Sequence, residues 1–159
     1  MPWLDKLAVL SVALNGVLAG LYFAFTCAVS PALGRLEDRS FVVAFRAINA
    51  AILNGWFLSV FFLAPLTAVA AAIWGGSTER SFPWALVAGG VLAAVTFIVT
   101  VAANVPLNEG LAAAPSGSAA LDHAARAAFE SAWNGWNLLR TLTGTAATVC
   151  LAAALAVGR

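Results

Sequence analysis

Four uninterrupted apolar runs, Leu7–Ala28, Trp56–Trp74, Trp84–Ala103 and Leu138–Val157, decide what this chain can become. Each is about 20 residues long, enough for a helix to cross ~30 Å of hydrocarbon at ~1.5 Å per residue. The only charge inside them is Arg140. A buried helix of a water-soluble domain rarely needs such length, so four in succession predict an all-α, integral-membrane four-helix bundle. The whole chain, 1–159, then forms one multi-pass domain of the cell membrane. Composition agrees: 62% of residues are hydrophobic, 9% are charged, and the mean hydropathy is +0.93. Eight basic and seven acidic residues nearly cancel, so there is no footprint for nucleic acid. The first run could be read as a signal peptide with Lys6 as its basic flank, but its length favours a retained span. Cys27 and Cys150 fall at different depths and read as small packing residues rather than a redox pair.

Tracing the spans places the N-terminus, the loop at 75–82 and the C-terminus on one side. Two long segments, Val29–Gly55 and Asn104–Asn137, lie on the other. Arg35, Arg39, Arg46, Arg126 and Arg140 belong to that side, against Lys6, Arg80 and Arg159, and the positive-inside rule places the long segments in the cytoplasm.

In the first long segment Ser30-Pro31 is expected to end the first span, and Asp38 or Ser40 to cap a new helix. Phe41, Val42, Phe45, Ile48 and Ile52 recur at helical spacing, giving an amphipathic helix for the interface. Arg46 and Asn49 share a neighbouring face, and Asn54 stands at the entrance to the second span. In the second segment "NVPLN" reads as a turn at the membrane face. The stretch "AAAPSGSAA" reads as a flexible loop, and Asp122 as the cap of a second amphipathic helix that need not stop before the fourth span. Along it His123, Arg126, Glu130, Trp133, Asn137 and Arg140 step by three or four residues and share one stripe.

The outer part of that stripe has an ordinary reading, since Arg126 and Glu130 form an i,i+4 pair on a wet face. Trp136 reads as a belt aromatic. Asn137 and Arg140 instead require buried partners at a span entrance. The backbone and amides of Asn104–Asn108 are the acceptors expected for Arg140. Tyr22, Thr26, Asn54, Thr96, Thr100 and Asn104 all fall at that end of their spans. Small residues, including the Gly16–Gly20 GxxxG pattern, let helices approach closely and leave a homo-oligomer open. Pro65 offers a kink that would open a pocket above it. The result is a polar, Asn-rich cup at one interface. Such donors beside aromatics suit a flat, lipophilic molecule bearing carbonyl or phenol oxygens, reached through the membrane lipid, and can hold an enolate or phenolate. Haem would need a pair of axial ligands that one His and the initiator Met do not supply. A metal ion on His123 with Glu130 or a nearby Asp is a weaker alternative to a site without cofactor.

At "FRAINAAILN", "VTVAANVPLNEGLA" and "FESAWNGWNLLRT" the sequence resembles the anthrone oxygenase family, whose span number and loop order it also matches. The resemblance implies oxidation of an anthrone, or another aromatic or polyketide-type lipophile, by O2 without an organic cofactor. Under it, Asn137, Arg140, Asn104 and Asn108 would hold the oxyanion, and Trp133 and Tyr22 would stack on the rings. Arg46, Asn49 and Asn54 would contribute to substrate binding, and His123 or Glu130 would be the general base. The alternative is a non-catalytic membrane protein, a partner subunit or a carrier of a lipophilic metabolite.

Overall fold

The computed structural model describes residues 2–76 and 83–157, and every regular element among them is helical. Four helical stretches are long and apolar enough to cross a membrane: Trp3–Leu33, Gly55–Gly75, Trp84–Ala113 and Ala119–Val157. The protein is therefore an all-α membrane bundle. The turn expected at 75–82, with Arg80, and the terminal Arg159 lie largely outside the described residues.

The first span is α1 (Pro2–Ala24), a π-helical turn (Phe25–Val29) and α2 (Ser30–Leu33). The second is α4 (Gly55–Gly76). The third is α5 (Pro83–Val99), a second π turn (Thr100–Asn104) and α6 (Val105–Ala113), and the fourth is α7 (Ala119–Val157). α1 packs on α4 and α7, and α5 packs on the same two helices, so the spans close into a ring. Its core on the terminal side is made of Ala8, Ala68, Ala71, Ala93 and Ala147 around Leu86 and Leu151. Such small side chains bring backbones close, which is how helices associate without a hydrophobic driving force between them. The closest approach of a glycine to a neighbouring helix's backbone, among the described residues, is at Gly90, where a methyl would lie 2.6 Å from Ala72 Cβ and 3.0 Å from Ala68 O. The Gly16–Gly20 pair does not serve this purpose. A methyl on Gly16 would meet Thr148 at an ordinary 3.7 Å, and one on Gly20 would meet nothing within 4 Å.

Two sequence expectations about prolines are corrected. Ser30-Pro31 does not end the first span, and "NVPLN" is not a turn; both stretches are helical. A proline lacks its N–H and its ring clashes with the carbonyl four residues back. Each of these prolines is preceded by a π turn, with Ser30 N bonded to Phe25 O and Val105 N to Thr100 O, five residues back. The widened turn lets the chain pass the proline and stay helical. Pro65 likewise leaves α4 continuous.

α7 has 39 residues, ~58 Å at ~1.5 Å per residue, about twice the hydrocarbon thickness. Its N-terminal half therefore stands outside the hydrocarbon and carries a cap on the side of the two long connections. The cap's other main element is α3 (Asp38–Ile52), strongly amphipathic, with Phe41, Val42 and Phe45 buried. Those residues pack with Leu33, Leu111, Phe129 and Trp133 in a separate apolar core. Each such side chain contributes ~1.5–3 kcal/mol by burial, so α3 is held down by its own hydrophobic face. Neither Asp38 nor Ser40 caps it. The N-cap is Glu37, whose carbonyl accepts from Phe41 N, while Ser40 Oγ donates to the Glu37 carboxylate. At the start of α7 the expected cap Asp122 is buried and turned back to Gly117 N, and Ser118 Oγ accepts from Leu121 N instead. The connection between α6 and α7 is anchored by Arg46, which donates to Leu111 O, Ala114 O and Ser116 Oγ.

Candidate active site

Beneath α3, where the cap meets the bundle, lies a cavity of about 170 Å³. Its lining is mostly apolar: Leu21 and Phe25 from the first span, Ile48, Ile52 and Leu53 around α3, and Phe57, Leu58 and Phe61 from α4. Into this lining project Tyr22, Asn49, Thr100, Asn108, Trp133, Asn137 and Arg140. Leu53, Leu58 and Val105 are themselves exposed, so the mouth opens on the lipid-facing side of the α3–α4 junction.

Arg140 is the centre of the polar wall. It is 6% exposed, and its Nη2 donates to Asn137 Oδ1 at 2.8 Å. The guanidinium lies over the Tyr22 ring at 4.4 Å and the Trp133 ring at 5.4 Å. Its Nε is buried and without a partner, as are the Tyr22 hydroxyl and Asn49 Nδ2. Among the described residues no salt bridge includes Arg140. A buried cation with no carboxylate, facing an apolar cavity with unspent donors, is costly unless something else supplies the negative charge.

The expected pairing of Arg140 with the Asn104–Asn108 stretch is not what forms. Because "NVPLN" is helical, its carbonyls are spent along the helix axis, and the link runs through Trp133. Trp133 Nε1 donates to Asn108 Oδ1 at 2.8 Å, and Asn104 Nδ2 reaches Trp133 O at 3.4 Å. Asn104 is fully buried behind the wall, with its Oδ1 unpartnered. Asn137 Nδ2 is committed to Tyr22 O and Thr26 Oγ1, at 3.0 and 2.8 Å. Thr26 in turn meets Thr141. Asn137 thus fixes Arg140 and ties α7 to α1, leaving Arg140, Tyr22 and Asn49, with the Asn108 amide, as the donors at the cavity. Trp133 forms a wall with Phe25 and Phe45, ring centroids 5.4 and 4.9 Å away.

Several sequence candidates stand elsewhere. His123 is exposed, bonded to Asp38, and 17 residues from Arg140 on the same helix, roughly 25 Å along its axis. Glu130 is paired with Arg126 and borders a separate cleft between the first span and α7. No carboxylate or imidazole lines the cavity. Arg46 secures the α6–α7 connection, and Asn54 is exposed and caps α4 by accepting from Phe57 N. Thr96 lies deeper, paired with Thr143. No group of three potential metal ligands forms among the described residues. In the cap, the hydrogen bond from His123, then that from Arg126, holds the Asp38 carboxyl below its ordinary range.

Sequence reading missed Asn15, which is buried and donates to Ser11 O and to Ala64 O across the α1–α4 interface. An amide in mid-span was itself the signal, because it must find a partner away from water. Asn49 was singled out as a neighbour of Arg46, but only Asn49 reaches the cavity.

A family model for anthrone oxygenase matches residues 54–150, more than half of the chain, and the chain belongs to that family. The matched stretch holds Asn104, Asn108, Trp133, Asn137 and Arg140; Tyr22 and Asn49 lie outside it. No curated protein and no solved structure matches the chain.

Proposed function

We propose that this member of the anthrone oxygenase family is a membrane-embedded oxygenase-like enzyme. Its substrate would be a lipophilic aromatic ketone with an ionisable benzylic methylene, of which an anthrone is the simplest. The observation that carries this is Arg140, a buried guanidinium without a carboxylate, with a free Nε and the Tyr22 hydroxyl beside it at an apolar cavity. An apolar cavity of ~150 Å³ takes up a benzene ring, so this one takes one ring of a fused system, with the remainder in the mouth at Leu53 and Leu58.

The chemistry follows from where negative charge develops. Loss of a benzylic proton gives a carbanion whose charge is delocalised onto the ketone oxygen as a phenolate-type aryloxide. Arg140 and Tyr22 stabilise that oxygen as preorganised donors in a water-poor site, and Trp133 and Phe25 flank the rings. The carbanion passes one electron to O2, and the resulting carbon radical and superoxide combine. Protonation gives a hydroperoxide, and loss of water leaves a carbonyl at the former methylene. One oxygen atom enters the substrate and the other leaves as water; the methylene supplies all four electrons, so no organic cofactor or external reductant is required. With no carboxylate or imidazole in the lining, the first proton passes to water at the cavity mouth, and the protein acts by lowering the substrate's pKa.

The same lining supports a second reading, a carrier that holds a lipophilic anion without reacting. Purified protein in lipid nanodiscs, given anthrone under 18O2 and under argon, separates them. Turnover with one labelled oxygen in the quinone and one in water supports the enzyme. Saturable binding under both gases with no product above the protein-free rate supports the carrier.

A further inference from the structure

The geometry points to a separate entry for dioxygen, a small station in the middle of the bundle reached from the bilayer core rather than through the substrate mouth. The inference rests on the oxygen-using reading above and adds a second site to it. A void of about 10 Å³, about the space for one small molecule, sits one helical turn deeper than Arg140. It is bounded by Leu18, Phe61, Ala93, Phe97 and Gly144, with Asn15, Tyr22, Pro65 and Thr96 at its edges. Tyr22 and Phe61 are also walls of the substrate cavity. On the opposite side, Pro65 and Phe97 are walls of an apolar groove on the outer surface of α4 and α5, where Leu66, Ile73 and Ile98 are exposed. The three spaces therefore stand in series, each separated from the next by shared side chains. The Phe61 and Phe97 rings, tilted 30° to one another with centroids 4.9 Å apart, form the partition.

This arrangement suits an apolar diatomic. Dioxygen dissolves better in hydrocarbon than in water, and the groove faces the hydrocarbon. Two of the polar side chains at the void's edge are engaged: Asn15 Nδ2 with Ser11 O and Ala64 O, and Thr96 Oγ1 with Leu92 O and Thr143. A gas molecule leaving the station past Tyr22 would emerge beside the ring held at Arg140. The substrate plugging the mouth would not block it.

Gly144 supplies the test, because a methyl built there meets Ala19 and Thr96 atoms only at 3.6–3.8 Å, ordinary contact, while reducing the void. The protein in nanodiscs with 13C-labelled alanine methyls is equilibrated with oxygen, and paramagnetic relaxation is compared at Ala93 and at the equally buried Ala71. Stronger relaxation at Ala93, lost in Gly144→Ala, is expected. In oxygen-uptake assays with anthrone, Gly144→Ala should raise KM for O2 about fivefold while kcat at saturating O2 and KM for anthrone stay within about twofold. Equal relaxation at the two alanines, an ordered water in the void, or an unchanged KM for O2 overturns the route. Relaxation at Ala93 in a protein that consumes no O2 with any anthrone keeps the station and overturns the oxygenase reading instead.

Discussion

Replacing Arg140 by Met separates a functional arginine from a structural one. In the folded protein Arg140 gains a charge-assisted hydrogen bond to Asn137, ~1.5–3 kcal/mol, and two ring contacts at ~0.5–2 kcal/mol each. Against this stands the cost of an arginine in hydrocarbon, at least ~2.5–3.5 kcal/mol. No carboxylate offsets that cost. The terms cancel to within a few kcal/mol, and Met also fills the space of the Arg stem while leaving Asn137 Oδ1 unpaired at ~1–3 kcal/mol. Arg140→Met should therefore shift the thermal midpoint in detergent by only several degrees, at ~2–4 °C per kcal/mol. Loss of an oxyanion donor costs ~2.7–4 kcal/mol in the transition state, so turnover of anthrone should fall ~10²–10³-fold. Arg140→Lys should lie between, because an ammonium cannot bond Asn137 and still present a planar second donor to the cavity. Oxygen uptake and differential scanning fluorimetry on the same preparation decide the matter. Turnover within threefold of the parent, or unfolding that accounts for all the lost activity, refutes the assignment.

Arg46→Ala should cost about 2–4 kcal/mol by removing three bonds to the α6–α7 connection, seen as a lower thermal midpoint and faster proteolysis near Ser116, with substrate affinity less affected. Asp38 has a folded pKa below its ordinary 3.8, so the unfolded chain binds its proton first as pH falls. The contribution of the ionised Asp38 carboxylate is thus complete above that value and lost as pH drops through the lower folded one; Asp38→Asn should flatten that part of the stability–pH curve. Gly90→Ala should destabilise by about 1–3 kcal/mol through the Ala72 and Ala68 contacts, whereas Gly20→Ala should be neutral or slightly stabilising, as chemical denaturation will show. Single cysteines at Lys6 and Ser118 should label from opposite sides of sealed vesicles, Ser118 from the cytoplasmic side; labelling of both from one side removes the topology.

The spans were legible because hydrocarbon thickness imposes a length and a composition that few other structures share. The stripe on α7 was legible for a similar reason: a charge and an amide at period 3.6 inside an apolar run have few explanations. What could not be read was partner choice. Nothing in local spacing tells Asn49 from Arg46, three residues apart on one helix; α3 turns Asn49 to the cavity and Arg46 to the α6–α7 connection. Spacing already sets His123 about 25 Å along α7 from Arg140, but it could not say that Asp38 of α3 would take it as a partner. Glycine was misread for a related reason. The GxxxG pattern marks where helices can approach, but the helix that arrives at Gly90 is fixed by the ring order of the bundle.

The prolines carry the remaining information about the site. Pro31 and Pro106 each follow a π turn, Phe25–Val29 and Thr100–Asn104, in the first and third spans. A π turn adds a residue to one helical turn, so side chains after it are rotated relative to those before it, and such turns recur at functional sites. In the first span this divides Tyr22, before the turn and under the Arg140 guanidinium, from Ser30, after it on the cleft side. In the third, Thr100 opens the turn at the cavity wall, and Asn108, beyond the turn, lines the same cavity and accepts from Trp133 Nε1. Without the added residue each proline ring would press on the carbonyl four residues back and kink its helix, as a proline within α-helical geometry does. The two π turns therefore reconcile the prolines with unbroken spans and set the facing of the residues around Arg140. Pro31→Ala and Pro106→Ala should let these turns relax toward α geometry, so their expected signature is weakened anthrone binding with little loss of stability. Unchanged binding in both variants would mean that the π turns are fixed by packing and not by the prolines.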